Sequence, residues 1–426
     1  MTEGADNKPH RKKIHRGWIV LAVLGLYYAT LSGLMINCIG IVFAAILKDM
    51  GFKTSELSLY YTIRALFSAI VVQRLCRIFD RTRRPNLFMA AMGAGAALAF
   101  AMMPFYTKVW NWYISALLIG IAQAVMVYVV SVVINNWFKK NQGTIIGFTF
   151  MSSGIAAALF GPVCSSLIST YGWRAACFAL AGISIITWVL PCSFLLVRSP
   201  EDVGEMPIGT EAVKNGDKTA ATRWNHIIPS EKIWPALALG IGLPSAVSVA
   251  QNQLATFATS TGFDLSVAGM LTSFCMVGNM LFKMLLGVAA DRIGAVNATR
   301  IFLTITMAGL FGIMNAHGSA YIVYAGAFFY GAIFSCAVTS PSLICKEMYG
   351  EGHYRERLSK AQALSTFVSA FTAFAYPELY DIFKNWAPVF ELCIFVCLLT
   401  ITCLTIAKNH VNRLEKAAMP LGNSNT

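Results

Sequence analysis

One short polar stretch decides the fold: residues 287–294, with the sequence GVAADRIG. It joins two long apolar segments, and its Asp291-Arg292 pair has an earlier counterpart, Asp80-Arg81, that also follows a long apolar segment. The two pairs lie about 211 residues apart, and similarity at one large offset indicates an internal repeat. The chain therefore predicts two related halves.

Two further landmarks share nearly the same offset. Trp18 and Trp234 open corresponding apolar segments about 216 residues apart, and Trp173 and Trp386 lie about 213 residues apart. Because three landmarks keep one register, we interpret the chain as two halves with the same order of segments.

The composition excludes whole classes of protein. The chain has 426 residues, of which 57% are hydrophobic and 12% charged, and its formal net charge is +13. Soluble domains carry about a quarter charged residues, so this chain cannot cover a soluble protein of its size. A soluble enzyme, a nucleic-acid-binding module and a disordered chain are excluded. A polytopic membrane protein remains, since basic residues that flank membrane spans also explain the positive charge.

Twelve apolar segments have the length of about 20 residues that a transmembrane helix needs. Strands of a membrane barrel would be about ten residues long and alternating, so the predicted fold class is all-α. Numbered along the chain, the predicted spans are 17–47, 55–78, 87–105, 111–138, 143–170, 173–196, 233–260, 265–290, 299–315, 321–348, 359–383 and 387–407.

The basic residues predict the orientation in the membrane. Of the 33 lysines and arginines, about 26 fall on one side and about 5 on the other, which places both termini in the cytoplasm. Short outer loops without a glycosylation sequon favour the inner membrane of a bacterium. The predicted organisation is a tail, a six-helix half, a linker, a second six-helix half and a tail, at residues 1–16, 17–196, 197–232, 233–407 and 408–426.

Two cations, Arg64 and Lys283, fall inside predicted spans. A charged side chain at this depth costs several kcal/mol, and such residues usually face a cavity or a partner. Since no Asp or Glu lies deep in any predicted span, an anionic ligand is the natural partner. Two structural alternatives remain open: Lys283 can extend its amine towards the membrane surface, and Arg64 can bind backbone carbonyls or a carboxylate near a span end.

Residues 287–294 resemble the G-x-x-x-D-R-x-G loop motif of the major facilitator superfamily of transporters. The first copy departs from that motif, because Cys76 and Arg83 replace its glycines. Four further stretches, at residues 15–18, 136–143, 172–174 and 199–204, resemble the oxalate–formate antiporter and monocarboxylate-porter branch. The resemblance covers essentially the whole chain and implies two six-helix halves that alternate access to a site between them.

In this superfamily the Asp-Arg loop is a latch rather than a substrate site. An Asp near a helix amino terminus gains from the helix dipole, and a neighbouring Arg can bridge to the opposing helix. We therefore expect the latch to comprise Asp80, Arg81, Gly287, Asp291 and Arg292.

The resemblance assigns a role to Lys283, which stands where related transporters carry a cation that binds the substrate anion. Two departures limit the substrate. Asn279 replaces the Asp that monocarboxylate transporters place one turn earlier, and Thr366 lies near the place of a second cation in oxalate transporters. A single carboxylate therefore fits better than a small dianion, and coupling to protons stays open.

Polar and aromatic residues of spans one, four, seven and ten line the cavity in this fold. Amide and phenol groups can orient a carboxylate by hydrogen bonds, although each is about as suited to bonding a neighbouring helix. The candidates are Tyr28, Asn37, Gln123, Tyr128, Gln251, Asn252, Gln253 and Tyr330.

Small residues recur at seven-residue spacing on span five, at Gly147, Gly154 and Gly161-Pro162. Such spacing lets a neighbouring helix approach closely. The stripe predicts either static packing or a contact that slides as the halves move.

We predict a secondary transporter of an organic anion, with a monocarboxylate favoured, that works by alternating access. The expected partners are a small-molecule carboxylate, the lipid bilayer, and a counter-substrate or proton. We expect no cofactor, metal or nucleic acid, and a functional monomer. The nearest alternative is an exporter of amphipathic or drug-like compounds. A membrane enzyme or sensor is disfavoured, because no histidine lies within a predicted span.

Overall fold

The computed structural model describes residues 15–52, 54–209, 233–263, 265–316 and 319–418. The predicted amino-terminal tail before His15 and the predicted linker beyond Gly209 lie outside the described residues. We call residues up to 209 the amino half and residues from 233 the carboxyl half. The inner end of the molecule is the end that carries Asp80 and Asp291, and the outer end carries Gly172.

The amino half consists of six spans in chain order. Span one continues from an α-helix through a π-helical segment into a second α-helix, and spans five and six share one bent helix. The helices are Arg16–Tyr28, Ala29–Asn37 (π), Ile39–Met50, Thr54–Arg81, Pro85–Met102, Val109–Ala124, Met126–Trp137, Gln142–Ser184, Ile185–Val189 (π) and Leu190–Leu195.

The carboxyl half repeats this order. Span seven is broken into four short helical pieces, and spans ten and eleven meet in one bent helix. The helices are Trp234–Gly242, Pro244–Val249, Ala250–Gln253 (3-10), Leu254–Ser260, Leu265–Ile293, Ala295–Met314, Ala320–Tyr330, Ser335–Thr339 (π), Ser340–Phe383 and Ala387–Ala418.

The all-helical fold class is confirmed. Eight helices of the described chain are long and apolar enough to cross a membrane, and one of them, Gln142–Leu195, is 54 residues long. It bends at Gly172, where φ is 82°, and the helix Ser340–Phe383 bends at Gly350, where φ is 63°. Glycine permits such left-handed backbone at no steric cost, so each bend reverses the chain between two spans.

Several predicted boundaries move. Span twelve continues as a helix past residue 407 to Ala418, because its polar carboxyl end retains strong helix formers. Span nine begins at Ala295 rather than at residue 299, since the carboxylate of Glu347 accepts the backbone N–H groups of Ala295 and Val296 and caps it. Periodicity in the sequence does not reveal a cap supplied by another span.

Spans five and eight hold the two halves together through glycine. A Cβ added at Gly143 would lie 2.6 Å from the Gly287 carbonyl oxygen, and one at Gly154 would lie 2.9 Å from the Met280 Cβ. One at Gly147 would overlap the Lys283 carbonyl oxygen. The backbones therefore touch over the inner half of both spans, as small residues at a helix interface allow.

Replacing Gly147 with valine should push the halves apart at the inner end. The added side chain overpacks the contact, at a cost of about 1–3 kcal/mol. We expect faster maleimide labelling of Cys345, which is buried and directly precedes Lys346 in span ten, measured by peptide mass spectrometry. Gly161→Val is the matched control, since a Cβ at Gly161 has no atom within 4 Å. Equal labelling of the two variants would contradict a closing role for this contact.

Candidate functional site

Lys283 is buried at the contact between the halves. Its side chain is on span eight, and the residue is 3% exposed. The ammonium donates a hydrogen bond of 3.1 Å to the Ser153 hydroxyl and lies 5.7 Å from the centre of the Tyr28 ring. Within the described residues no carboxylate pairs with it. A positive charge in an apolar surrounding is thus matched only by a hydroxyl and an aromatic face.

Three spans position these groups. On span one, Gly33 lies against the Ser153 backbone, and the Tyr28 ring packs on Phe150 with centroids 4.6 Å apart. Span five therefore presents Ser153 towards span eight, and Lys283 extends from the carboxyl half into the amino half. The site can neutralise and orient one anionic group. Within the described residues no group of three or more His, Cys, Asp or Glu side chains could hold a metal ion.

Asn279 lies one turn before Lys283 on span eight and is 4% exposed. Its amide nitrogen contacts only the Met276 sulfur, at 3.8 Å, and its buried Oδ1 has no hydrogen-bond partner in the described chain. An unpaired buried amide is costly. The side chain thus keeps hydrogen-bonding capacity next to the cation.

Arg64 lies on span two, is half-buried, and forms no ion pair with a described carboxylate. Its Nε and Nη1 atoms are buried without a hydrogen-bond partner in the described residues, and its guanidinium lies 5.6 Å from the Tyr61 ring centre. Span four packs closely here, because a Cβ at Gly120 would lie 2.7 Å from the Arg64 carbonyl oxygen. The structural alternative for Arg64, a bond to a backbone carbonyl or to a carboxylate near a span end, is not found among the described residues.

Three predicted cavity residues make bonds inside the protein instead. Tyr330 donates to the Val247 carbonyl at 2.6 Å, Tyr128 donates to the Asp80 carboxylate, and Thr366 donates to its own helix at the Gln362 carbonyl. Each hydroxyl has one hydrogen to give. These contacts favour the interhelical or intrahelical role for Tyr330, Tyr128 and Thr366.

The remaining predicted cavity residues keep polar capacity. Asn37 ends the π-helical segment of span one and is exposed, while Gln123 has a buried Oε1 without a partner in the described chain. Gln251, Asn252 and Gln253 form a 3-10 turn in which Asn252 is exposed. The three amide side chains thus lie on a 3-10 turn that interrupts the α-helix of span seven.

Asp291 closes the inner end. Its carboxylate accepts the backbone N–H groups of Gly143 and Thr144, at 2.8 and 2.7 Å, and the Thr144 hydroxyl at 2.7 Å. These donors form the amino terminus of span five, where a helix dipole favours negative charge. One carboxylate of the carboxyl half therefore caps a helix of the amino half.

The first copy of the motif works differently. Asp80 accepts from Tyr128 and lies 3.5 Å from the Arg355 guanidinium, which also donates to Asn136 at 3.2 Å. At the repeat offset of about 212 residues, Arg355 occupies the place of Gly143. A side-chain ion pair thus replaces the backbone cap.

The arginines of the predicted latch do not bridge the halves. Arg81 and Arg292 are exposed and make no hydrogen bond or ion pair within the described residues. Arg355, on span eleven, supplies the bridge that the resemblance assigned to them. Exposed arginines at these positions agree with the charge bias that sets membrane orientation.

A second set of polar contacts lies beside this ion pair. The buried Lys346 amine donates to the amide oxygens of Gln142 and, at 3.4 Å, Asn135, and Asn135 donates to the Tyr354 hydroxyl at 3.0 Å. A cavity of about 310 Å³ is lined by Asn135, Asn136, Lys139, Lys346, Gly352, Tyr354 and Arg355. Both halves contribute to it, so this cavity lies within the inner closure.

The segment after span six is fastened to the inner end of the amino half. Arg198 donates to the Asp80 carbonyl at 2.8 Å, and its own carbonyl accepts from Asn136 at 3.1 Å. Ile208 forms two backbone hydrogen bonds, to Trp137 and Lys139. Arg198 thus satisfies a carbonyl that the end of span two leaves free, and Ile208 satisfies one at the end of span four.

Sequence reasoning missed the partners that come from the other half. Ser153, Tyr354 and Asn135 were not singled out, and Lys346 and Arg355 were counted only as inner-side charges. Ser153 directly precedes Gly154 of the small-residue stripe, which was an available signal. Nothing in the sequence signalled which side chains would meet across the halves.

Comparison with known proteins gives one family. The model of the Major Facilitator Superfamily matches residues 26–258 and again residues 245–422. A crystal structure of a double-tryptophan mutant of XylE superposes with a TM-score of 0.66 at 13% identity, covering 92% of this chain and 94% of that one. The predicted major facilitator fold is confirmed.

Two curated relatives are both fungal. The chain is 20% identical to the uncharacterized transporter ESBP6 of Saccharomyces cerevisiae over 230 residues, 53% of this chain and 34% of that protein. It is also 20% identical to the MFS-type transporter pynF of Aspergillus niger over 302 residues, 69% of this chain and 65% of that protein. The matches thus span about a third and just under two thirds of the relatives.

Replacing Asp291 with asparagine should loosen the amino terminus of span five. Hydrogen bonds to charged groups contribute about 1.5–3 kcal/mol, so we expect faster amide hydrogen exchange at Gly143 and Thr144. Asp381→Asn is the control, because Asp381 forms an exposed ion pair with Lys384 at 3.5 Å, a type worth about 0–1 kcal/mol. Unchanged exchange in Asp291→Asn would show that the carboxylate does not hold the halves closed.

Proposed function

We propose that this chain, which belongs to the Major Facilitator Superfamily, is a secondary transporter of organic anions with monocarboxylates as its favoured cargo. Family and fold make it a membrane transporter rather than an enzyme. The proposal concerns the cargo and the residues that hold it, and it rests on the surroundings of one side chain.

The ammonium of Lys283 supports an anionic cargo. It is almost fully buried, and its contacts are the Ser153 hydroxyl and the Tyr28 ring. Removing a charge from water costs several kcal/mol unless an opposite charge compensates it. Since no described carboxylate compensates Lys283, the carboxylate of an arriving cargo can pair with its ammonium without displacing a resident acidic group.

The uncharged residues Asn279 and Thr366 support a cargo with one negative charge rather than two. Asn279 is neutral and keeps an unpaired amide oxygen, which can accept a hydrogen bond from a hydroxyl of the cargo. Thr366 is neutral and bonded within its own helix. A monocarboxylate with an apolar body therefore suits the site better than a small dianion.

Binding at Lys283 can be coupled to movement of the halves. A carboxylate that pairs with the ammonium competes with Ser153, whose hydrogen bond spans the two halves. Lys283 and Asp291 lie on the same helix, about 12 Å apart along its axis. Loss of the Ser153 bond thus weakens the same contact that Asp291 closes, and the halves rock as units around it.

The finer points of topology belong to this proposal. Both termini are expected in the cytoplasm. The inner membrane of a bacterium was expected from the short outer loops; the two curated relatives come from fungi. We propose a functional monomer in the membrane that bounds the cell.

Lys283→Gln should strongly reduce stabilisation by carboxylic acids. A ligand at about 100 times its Kd stabilises a protein by about 2.7 kcal/mol, which raises the thermal midpoint of purified protein. We expect such shifts with a panel of monocarboxylates, and none with their amides. Lys108→Gln is the matched control, since Lys108 is exposed in the loop before span four and should leave the shifts intact.

Two results would overturn the proposal. Acid-specific shifts that keep their full size in Lys283→Gln would move the site elsewhere. Shifts with neutral or cationic amphipathic compounds, unaffected by Lys283→Gln, would instead favour the exporter.

A further inference from the structure

Span two carries a row of polar atoms that have no partner. Tyr60, Arg64 and Ser68 are spaced by four residues, so their side chains lie on one face of the helix. Tyr60 is 0% and Ser68 1% exposed, and the Tyr60 hydroxyl, the Ser68 hydroxyl and two Arg64 nitrogens all lack hydrogen-bond partners in the described residues. Each unpaired group carries a desolvation cost.

The row is rich in donors and poor in acceptors. The guanidinium of Arg64 offers five N–H groups and accepts none, and the two hydroxyls can each donate. Aromatic side chains enclose the site: Phe43 packs on Tyr60 with centroids 4.9 Å apart, and Tyr61 lies beside the guanidinium. A half-buried positive charge surrounded by donors and rings is chemistry suited to an anion.

This row lies at a different depth from Lys283. The depth of both sites can be compared along span one. Tyr28 of span one lies beside Lys283, whereas a Cβ at Gly40 would lie 3.9 Å from the hydroxyl of Tyr61, whose ring lies beside Arg64. Twelve residues separate these two landmarks, about 15–18 Å of helix. One small carboxylate cannot touch both cations at once. Exposed Asn37 lies between the two landmarks.

We propose that Arg64, Tyr60 and Ser68 form a second anion site, towards the outer end and separate from the Lys283 site. Its ligand is a single monovalent anion, either a carboxylate or chloride. If the ligand is a carboxylate, the inference rests on the proposed function and makes Arg64 a second binding position for the cargo. If it is chloride, the anion compensates Arg64 independently of the cargo.

The uncompensated charge gives a test without any ligand. Arg64→Gln removes a half-buried guanidinium whose buried Nε and Nη1 have no partner in the described residues, so in low-anion zwitterionic buffer its thermal midpoint should equal or exceed that of Arg83→Gln. Arg83 is exposed on the loop after span two and is the matched control for the same chemical change. A structural role for Arg64 predicts the reverse, a lower midpoint that no anion restores.

Anion titration then locates the sites. The probes are sodium acetate and sodium chloride, and subtracting the shift of Arg83→Gln removes the general effect of salt. We expect Lys283→Gln to keep an anion-dependent shift and Arg64→Gln to lose that part, while the double variant loses both. Arg64→Lys, which keeps the charge but not the planar fork, should need a several-fold higher anion concentration.

The outcomes separate the two proposals. A shift in Lys283→Gln with acetate alone identifies a carboxylate at Arg64, and a shift with both salts identifies any monovalent anion; either supports the second site. No anion shift in Lys283→Gln overturns the second site and leaves the proposed function standing. A shift abolished by Arg64→Gln but unchanged in Lys283→Gln supports the second site and overturns the role of Lys283.

Discussion

The close contact between spans five and eight is the constraint on which the rest of the molecule depends. Glycine on both helices brings the backbones together, and on the face of span eight that meets the other half lie two opposite charges, Lys283 and Asp291. The carboxylate finds the amide groups of a helix terminus, which match it well. The ammonium finds one hydroxyl and one ring. The charge of Asp291 is therefore compensated within the protein, whereas the charge of Lys283 has no opposite charge among the described residues.

The general plan was predictable from the sequence because it follows from composition and period. Twelve long apolar segments, the repeated Asp-Arg pair and the asymmetry of basic residues predict an all-helical protein with a repeat. The two intramembrane cations were also visible, since charges are rare within apolar segments. The lack of a described carboxylate partner could be expected for both Arg64 and Lys283, because the predicted spans contain no deeply placed Asp or Glu.

Contacts across the halves could not be predicted, because they depend on how two rigid bodies meet. The Asp80 partner is Arg355, some 275 residues further along the chain, and neither repeat nor motif indicates this pairing. The same holds for Ser153. Local backbone geometry was equally hidden: in the broken span seven the Val247 carbonyl accepts the Ala250 N–H and also the Tyr330 hydroxyl, which therefore bonds to backbone rather than to a ligand. The hydrogen-bond acceptor of a polar residue in an apolar segment cannot be predicted from the sequence of that segment.

The anchoring of residues 198–209 has a consequence for control of the protein. Through Arg198 and Ile208 this segment is bonded to the ends of spans two and four, where Asp80 and Asn136 hold the inner closure. The chain that leads onward to the carboxyl half therefore starts next to the groups that close the inner end. A displacement of residues 198–209 would therefore move the ends of spans two and four together, and with them the groups that close the inner end.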